Sequence, residues 1–563
     1  MRRPGFRPRY GGRLSRHVDP LVQNPKSVIQ AVADPFDPSA SAVQARLEQA
    51  LALIRAGHSA DAEALCRALV GRIPANADSH HLHGLAALSG KRAADALPRL
   101  LRAVALAPGV AHFHTNLGTA QQGAGQSASA ERSYRHALRL APDQAETAFN
   151  LAKLLALTDR AEMAEALYRL AVALQPGRGK YWSNLGDLFL RLRREAEALR
   201  AYARADAVAG GPLVETAVNR GMAHQRLNRL AQALACYDEA LVANPDNVAA
   251  HWNRALALLV SGRLAEGWDE YEWRWRLAEC QPRPFEQPLW NGEALKGQTL
   301  LLHAEQGLGD TLHLARYLPL VAERVGELVL ECQPPLRRLL ADSFSFVTVV
   351  SAGDPLPDFD RHLPLLSLPR IFETRLDHIP TATPYLQAPP GAALPPGRAG
   401  TVAVGLVWGG DPAHRNDRQR SLDRQALASL LAIPEATFYS LQKGARTSDL
   451  ADADPAGSAI NLAPAIADFV DTAAFIQSLD LVVTVDTSVA HLAGALGRPV
   501  CVMLPHSPDW RWLLDRPDSP WYPSARLFRQ TAPGDWTGVI HAIAAHLASL
   551  RSALATGSGR SFR

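Results

Sequence analysis

Small and apolar residues recur with a fixed step through the first half of the chain. Prolines stand at Pro74, Pro108, Pro142 and Pro176, each 34 residues after the last; Gly210 keeps the phase and Pro245 comes one residue late. Ala96, Ala130, Ala164, Ala198 and Ala233 share one position, Tyr134, Tyr168, Tyr202 and Tyr237 lie four residues further on, and Ala103, Ala137, Ala171, Ala205 and Ala240 three later again. Gly84, Gly118, Gly186 and Gly221 recur earlier in the unit, with Ala152 and Ala255 as small substitutes. This spacing predicts pairs of antiparallel helices. The small residues let the two helices approach, the tyrosine wedges between neighbouring units, and the proline ends the second helix. Six or seven such units fit between about Ser41 and Glu279. The last carries Trp268, Tyr271, Trp273 and Trp275, suited to capping the array or docking it to the second half of the chain.

The grammar changes after Pro282, Pro284 and Pro288. Gly297–Ala304 reads as a buried strand, succeeded by Glu305–Asp310, a helix-like run, a second strand GELVLEC, and apolar segments at Phe346–Val350 and His362–Leu366. The Pro/Gly/Ala-rich stretch Ala388–Gly400 predicts a linker. Beyond it come strand Thr401–Trp408, a helix around Leu422–Leu431, strand Thr437–Lys443, helix Phe469–Ser478, strand Leu481–Val485, helix Ser488–Leu496 and strand Val500–Leu504. Alternating strand and helix means two parallel, doubly wound halves, with ligands bound at the carboxyl ends of strands.

Composition narrows the function classes. A net charge of +4 gives no case for nucleic-acid binding, and no apolar run approaches the length of a membrane span. The five cysteines, Cys66, Cys236, Cys280, Cys332 and Cys501, are widely spaced without a C-x-x-C pair, which reads as reduced thiols in a cytoplasmic protein with neither disulfide frame nor zinc site. Arg2, Arg3, Arg7, Arg9, Arg13 and Arg16 make a basic N-terminal segment with no apolar run behind it, so the expectation is a disordered tail over 1–40. The Gly/Ser-rich end, 551–563, is expected to be a second flexible tail.

A 34-residue period is the length of the tetratricopeptide repeat (TPR), and the 41–280 segment resembles that family. Such a solenoid exposes a groove that takes up an extended peptide or a helix. Asn116, Asn150, Asn184, Asn219 and Asn253 recur at spacings of 34, 34, 35 and 34 and are candidates to line it; they could equally bond within their own repeats. In the second half, EQGLGDTLHLARYLP and TVDTSVAHLAGALGRPV (Thr484–Val500) resemble the first loop and the donor-binding segment of bacterial heptosyltransferase-like enzymes of glycosyltransferase family 9. VGLVWGGDPAHRNDRQRS (Val404–Ser421) is similar to TPR–glycosyltransferase fusions. The resemblance implies an α + α/β chain: a TPR α-solenoid, then a GT-B transferase of two Rossmann-like halves, 289–390 on the acceptor side and 400–550 on the donor side. It implies an inverting glycosyltransferase that needs no metal or cofactor and uses a nucleotide-sugar as substrate. Classical lipopolysaccharide heptosyltransferases lack the repeats. The layout therefore resembles protein O-glycosyltransferases, including flagellin-modifying enzymes, with a protein acceptor in the groove. The alternatives are a step in surface polysaccharide synthesis and a non-catalytic scaffold.

The site expectations come from strand ends. Asp486, Thr487 and Ser488 stand between a strand and a helix, where unpaired amides and the helix dipole can hold a diphosphate; plain helix capping is the alternative. His491, one turn in, could reach the phosphate or sugar, or be a core histidine. Gly307 and Gly309 let the backbone turn and the donor approach. Asp310 could accept the proton of an attacking hydroxyl, the role of the matching Asp in the family, or merely cap its helix; Glu305 and His313 are the reserves. Lys443, one of six lysines, could neutralise the leaving phosphate. Arg415 and Arg420, in a polar loop with His414 and Arg418, could contact phosphate or acceptor.

Overall fold

A computed structural model describes residues 39–556, apart from Asp159, Gln281, Thr381, Arg415 and Ala456. The basic tail expected over 1–40 lies outside the described residues except at its end, where Ala40 already opens a helix. The chain divides into two compact units, Met1–Leu188 and Phe189–Arg563. The break falls inside the repeats and not in the proline-rich stretch at 280–289.

Among the described residues the repeats comprise fourteen helices: α1 (Ala40–Arg55), α2 (Ser59–Arg72), α3 (Ala77–Ser89), α4 (Ala93–Leu106), α5 (Ala111–Gly123), α6 (Ser127–Leu140), α7 (Ala145–Ala156), α8 (Ala161–Leu174), α9 (Gly179–Arg191), α10 (Glu195–Ala209), α11 (Val214–Arg226), α12 (Leu230–Ala243), α13 (Val248–Val260) and α14 (Leu264–Tyr271). The periodic residues explain the pairing. Ala96, Ala130, Ala164, Ala198 and Ala233 are fully buried, and so are Tyr134, Tyr202 and Tyr237. A Cβ on Gly118 would meet the Tyr134 ring at 2.7 Å, so the small residue makes room for the aromatic wedge of the same pair. Helices α2, α4, α6 and α8 stop two residues before Pro74, Pro108, Pro142 and Pro176.

In the second unit, the first sheet holds β1 (Leu295–His303), β2 (Val325–Cys332), β3 (Thr348–Ser351) and β4 (Arg361–Pro364), all parallel in the order β3-β2-β1-β4. Helix α15 (Leu308–Leu314) comes after β1, and α16 (Arg337–Ser343) after β2. The second sheet holds β5 (Val402–Val407), β6 (Ala436–Ser440), β7 (Ile460–Asn461), β8 (Leu481–Val485), β9 (Val500–Leu504) and β10 (Ala525–Arg529). Its order is β10-β9-β8-β5-β6-β7, again all parallel. Helices α17 (Arg424–Leu431), α18 (Phe469–Ser478), α19 (Ser488–Ala495) and α20 (Trp536–Ala555) cover it. The architecture is stacked TPR helices followed by two parallel α/β sheets of the GT-B kind. In each sheet the chain winds outward and then returns past its first strand, so β1/β4 and β5/β8 are the switch points where ligands bind.

The last repeats are built into the first sheet's half. Trp268 is buried, packs edge-on against Trp510 at 5.0 Å and donates its Nε1–H to the Thr374 carbonyl at 3.1 Å. Arg274 is fully buried and bonds Glu305 (2.9 and 3.1 Å), Glu272 (2.6 Å) and Ser367 (2.8 Å). At the other end, α20 runs to Ala555, so residues 551–555, expected to be loose, are helical. That helix is also long and apolar enough to cross a membrane, contrary to the expectation that no run approaches this length. One of its faces, Trp536, Val539, Ile540, Ile543 and Leu547, packs into the second sheet's core.

Candidate active site

Two helix starts meet at the second unit's cavity. At the end of β1, Gly307 donates its N–H to Asp310 Oδ2 at 2.7 Å. The other Asp310 oxygen accepts from Arg511, whose guanidinium also bonds Asp509 Oδ1 at 2.8 Å and lies over the Trp510 ring. Asp310 thus does cap its helix, and its carboxylate is also held in a fixed direction by a buried cation.

At the end of β8, Thr487 occupies the N-cap of α19 with extended backbone (φ −140°, ψ 173°). Its side chain does not cap; the hydroxyl lies 3.1 Å from that of Thr484. The first-turn amides of α19 are thereby left without a side-chain acceptor, at the positive end of the helix. The two helices touch: a Cβ on Gly309 would stand 2.8 Å from His491 Cδ2 and 3.5 Å from the Ser488 Cα. Only glycine lets the first turn of α15 come this close to α19.

The floor carries opposed charges. Burial pushes the Asp486 carboxyl up to about 6, and the charge of Asp509 adds to this, while the charges of Arg420 and Arg511 oppose it. Arg420 donates to the Asp486 carbonyl at 3.1 Å. Beyond β5, Gln442 Oε1 accepts from the N–H groups of Trp408 (3.2 Å) and Gly409 (3.0 Å) and Gln442 Nε2 donates to the Gly409 carbonyl (3.0 Å), fixing the glycine turn at the strand end. Burial lowers the pKa of His414, and Arg420 lowers it further.

The cavity measures about 1370 Å³ and gathers Gly307, Gly309, Asp310, Arg420, Lys443, Asp486, Thr487, Ser488 and His491, together with Asn253 of the repeats. Several expectations need correction. Lys443 lies beyond β6, which stops at Ser440, and its Nζ donates to the carbonyls of Ala463 (3.0 Å) and Ile466 (2.7 Å). Glu305 is absent from the lining; it is spent on Arg274 and the Leu366 N–H, and burial raises its pKa. His313 is buried, with Nδ1 on the Tyr522 hydroxyl at 2.9 Å, so neither reserve base faces the cavity. His491 binds the same hydroxyl through Nδ1 at 2.9 Å and is held well below its ordinary pKa by burial, which makes it a neutral core histidine at the cavity's edge. Arg415 lies outside the described residues.

The asparagines split. Asn184 and Asn253 donate to carbonyls one turn back in their own helices, Lys180 and Ala249, at 2.9 and 2.8 Å. Asn116 lies 2.8 Å from a ring nitrogen of His81. For these three the amide group is therefore occupied, and of the five only Asn253 lines the cavity. Residues not anticipated from the sequence also line it: Arg511, Asp509, Gln442, and Arg193, Arg226 and Asn228 from the repeats. The DWRW run after β9 could have drawn notice to Arg511 as an arginine between tryptophans. Arg193 is in 34-residue phase with Gly57, Lys91 and Gly125, an arginine where two of these are glycine, and that phase could have drawn notice to it.

A cleft of two parallel sheets, walled on one side by helical repeats, defines the class: TPR repeats joined to a GT-B layout. The comparisons agree. Residues 47–111, 115–179 and 218–280 match the tetratricopeptide repeat, and residues 440–531 match glycosyltransferase family 9 (heptosyltransferase). The chain joins TPR repeats to a glycosyltransferase family 9 domain. It is 29% identical over 366 residues to Protein FlbA of Caulobacter vibrioides, a match that takes in 58% of this chain and 60% of that one. The chain thus spans less than two thirds of the length of this curated relative. Among solved structures, the Cut9–Hcn1 hetero-tetramer of the APC/C superposes with a TM-score of 0.36 at 15% identity, over 41% of this chain and 45% of that one. PilF of Pseudomonas aeruginosa gives 0.35 at 16%, over 38% and 96%.

Proposed function

We propose that this chain is a protein O-glycosyltransferase. The repeats capture a polypeptide, and the cavity transfers a sugar from a nucleotide-sugar to a Ser or Thr hydroxyl. One observation carries the reading: residues of the repeats, Arg226, Asn228 and Asn253, line the same cavity as Asp310 and the start of α19. An acceptor lying on the repeat wall would have its hydroxyl within the space where sugar is transferred.

The chemistry divides among named groups. Asp310, held by Arg511 and the Gly307 N–H, takes the proton as the acceptor oxygen attacks the anomeric carbon from the face opposite the leaving group. The bond from that carbon to the phosphate oxygen breaks, and the configuration inverts. The open amides of α19 receive the phosphate charge, with the Arg420 guanidinium close to Asp486. Lys443, with two protons on carbonyls, has a third to offer. No metal is required by this scheme. The reduced cysteines support a cytoplasmic location.

The test is mass spectrometry of candidate acceptor proteins, flagellin first, from cells with and without the gene. Loss of a Ser/Thr-linked sugar on deletion, restored by the purified chain and a nucleotide-sugar, is the expected outcome. The family 9 match favours one rival, a heptosyltransferase-like step in surface polysaccharide synthesis. An altered polysaccharide with every protein acceptor unchanged would establish it instead.

A further inference from the structure

The arginines of the last repeats differ in how fully they are paired; Arg263 and Arg276, for example, each meet one carboxylate, Glu266 and Asp246. Arg220 bonds Asp206 at 2.9 Å and Glu239 at 2.6 Å; Arg254 bonds Asp238 and Glu270, both at 2.8 Å; Arg274 bonds Glu272 and Glu305. Each of these guanidiniums is matched by two carboxylates. Arg193 and Arg226, the two that line the cavity, are not, among the described residues. Arg226 has Glu195 at 3.7 Å and otherwise donates to the Leu190 carbonyl at 2.8 Å. Arg193 donates to the Asn416 amide oxygen at 2.7 Å. Burial lowers the pKa of both, and for Arg226 the neighbouring charge of Arg193 adds to this. Two partly desolvated cations, close enough to repel, share one wall with a single distant acid between them.

Arg193 stands in the turn between the helices of its pair with φ 61°, as Lys91 (59°) and Asn228 (55°) do in theirs. The corresponding turns at Gly57, Gly125 and Gly262 have φ 82°, 77° and 82° and use glycine, which adopts this region without a steric cost. A long cation there is unfavourable for the turn but is held against the loop of the second sheet's half that carries Asn416 and His414. His414 in turn feels the charge of Asp310. Arg193 and Arg226 line the same cavity as Asn253, on the wall that the repeats supply.

Resting on the reading of a protein acceptor, we propose that Arg193 and Arg226 form a specificity subsite for an acidic side chain that flanks the modified Ser or Thr. A carboxylate there would give them the second acid that Arg220, Arg254 and Arg274 already have.

The test uses the full chain and three labelled synthetic peptides, each with one serine flanked by Asp, by Asn or by Lys, with binding followed by fluorescence anisotropy. The Asp peptide should bind about tenfold more tightly than its Asn twin, the effect of one charge-assisted bond, and the Lys peptide most weakly. R193G retains the turn, since glycine serves the corresponding turns at 57, 125 and 262, and R226Q retains a polar amide without the charge. Each should cut the preference for Asp, with nucleotide binding unchanged. Equal binding of the Asp and Asn peptides by the unmodified chain would overturn the subsite alone. Failure to bind any of the three would remove the protein-acceptor reading, and the subsite with it. A preference that survives in both variants, or a loss confined to nucleotide binding, would also overturn it.

Discussion

Asp310 is a carboxylate with two structural bonds and a proposed chemical role, and one substitution separates them. Asp310→Asn keeps an oxygen for the Gly307 N–H but cannot accept a proton and gives up the charge facing Arg511. Transfer at saturating substrates should fall by about 10²–10⁴-fold, the range for a general base. Nucleotide-sugar affinity should hold, and stability should fall only modestly because Asp509 still pairs with Arg511. Near-normal initial rates would reduce Asp310 to a cap. Asp486 makes a second prediction, on stability. Its folded pKa, about 6, exceeds the ordinary 3.8, so the folded chain binds more protons than the unfolded one between these values, and the fold loses stability as pH rises through that window. Asp486→Asn should therefore raise the unfolding free energy above pH 6 by an amount on the order of 1–2 kcal/mol, seen as a higher melting point. The advantage should vanish near pH 4; scanning fluorimetry across that range reads it. Both residues are legible in the sequence because each stands between a strand and a helix. The partners of Arg511 and Arg193 are not: they lie 201 and 223 residues away in the chain, a distance that only tertiary packing closes.

The strands and helices that position the site are readable where apolar runs are short and bounded by glycine, proline or acid. β5, β8, β9, α18 and α19 fall within a residue or two of expectation. β6 ends three residues sooner than its apolar pattern suggests, because Gln442 turns inward to bond the glycine loop and the ladder stops at Ser440. The edge strands β7 and β10 give no clear signal; one has two residues, and the other, ARLFR, alternates charge with apolar side chains. Helix α19 carries the next prediction. Ser488→Pro suits the first helical position but removes one N–H from the phosphate cradle. Nucleotide affinity by calorimetry should weaken about tenfold, the worth of one charge-assisted bond, with the melting point unchanged. Unchanged affinity would move the phosphate elsewhere. Its neighbour Gly309 fails differently: Gly309→Ala would press on His491 and α19, costing about 1–3 kcal/mol of stability. Chemical denaturation should show it.

At the scale of the molecule, the seam between repeats and transferase is the weld around Trp268 and Arg274. Trp268→Ala should cost about 3–5 kcal/mol, read as a fall in the urea midpoint of the second unit. The proline-rich stretch at 280–289 looks from the sequence like a boundary, because composition changes there. Packing contradicts it, since the aromatic cluster before that stretch is buried against Thr374 and Trp510 beyond it. A fragment beginning at Leu289 should bind hydrophobic dye and aggregate, whereas one beginning at Gly179, the start of α9, should remain soluble; the reverse would place the seam at the prolines after all. The placement of the break inside the array has a consequence for descent. Arg193, Arg226, Asn228 and Asn253, the repeat residues that line the cavity, all fall after the break, so the final repeats belong to the same compact unit as the two sheets and evolve under the constraints of the cavity, not those of the array.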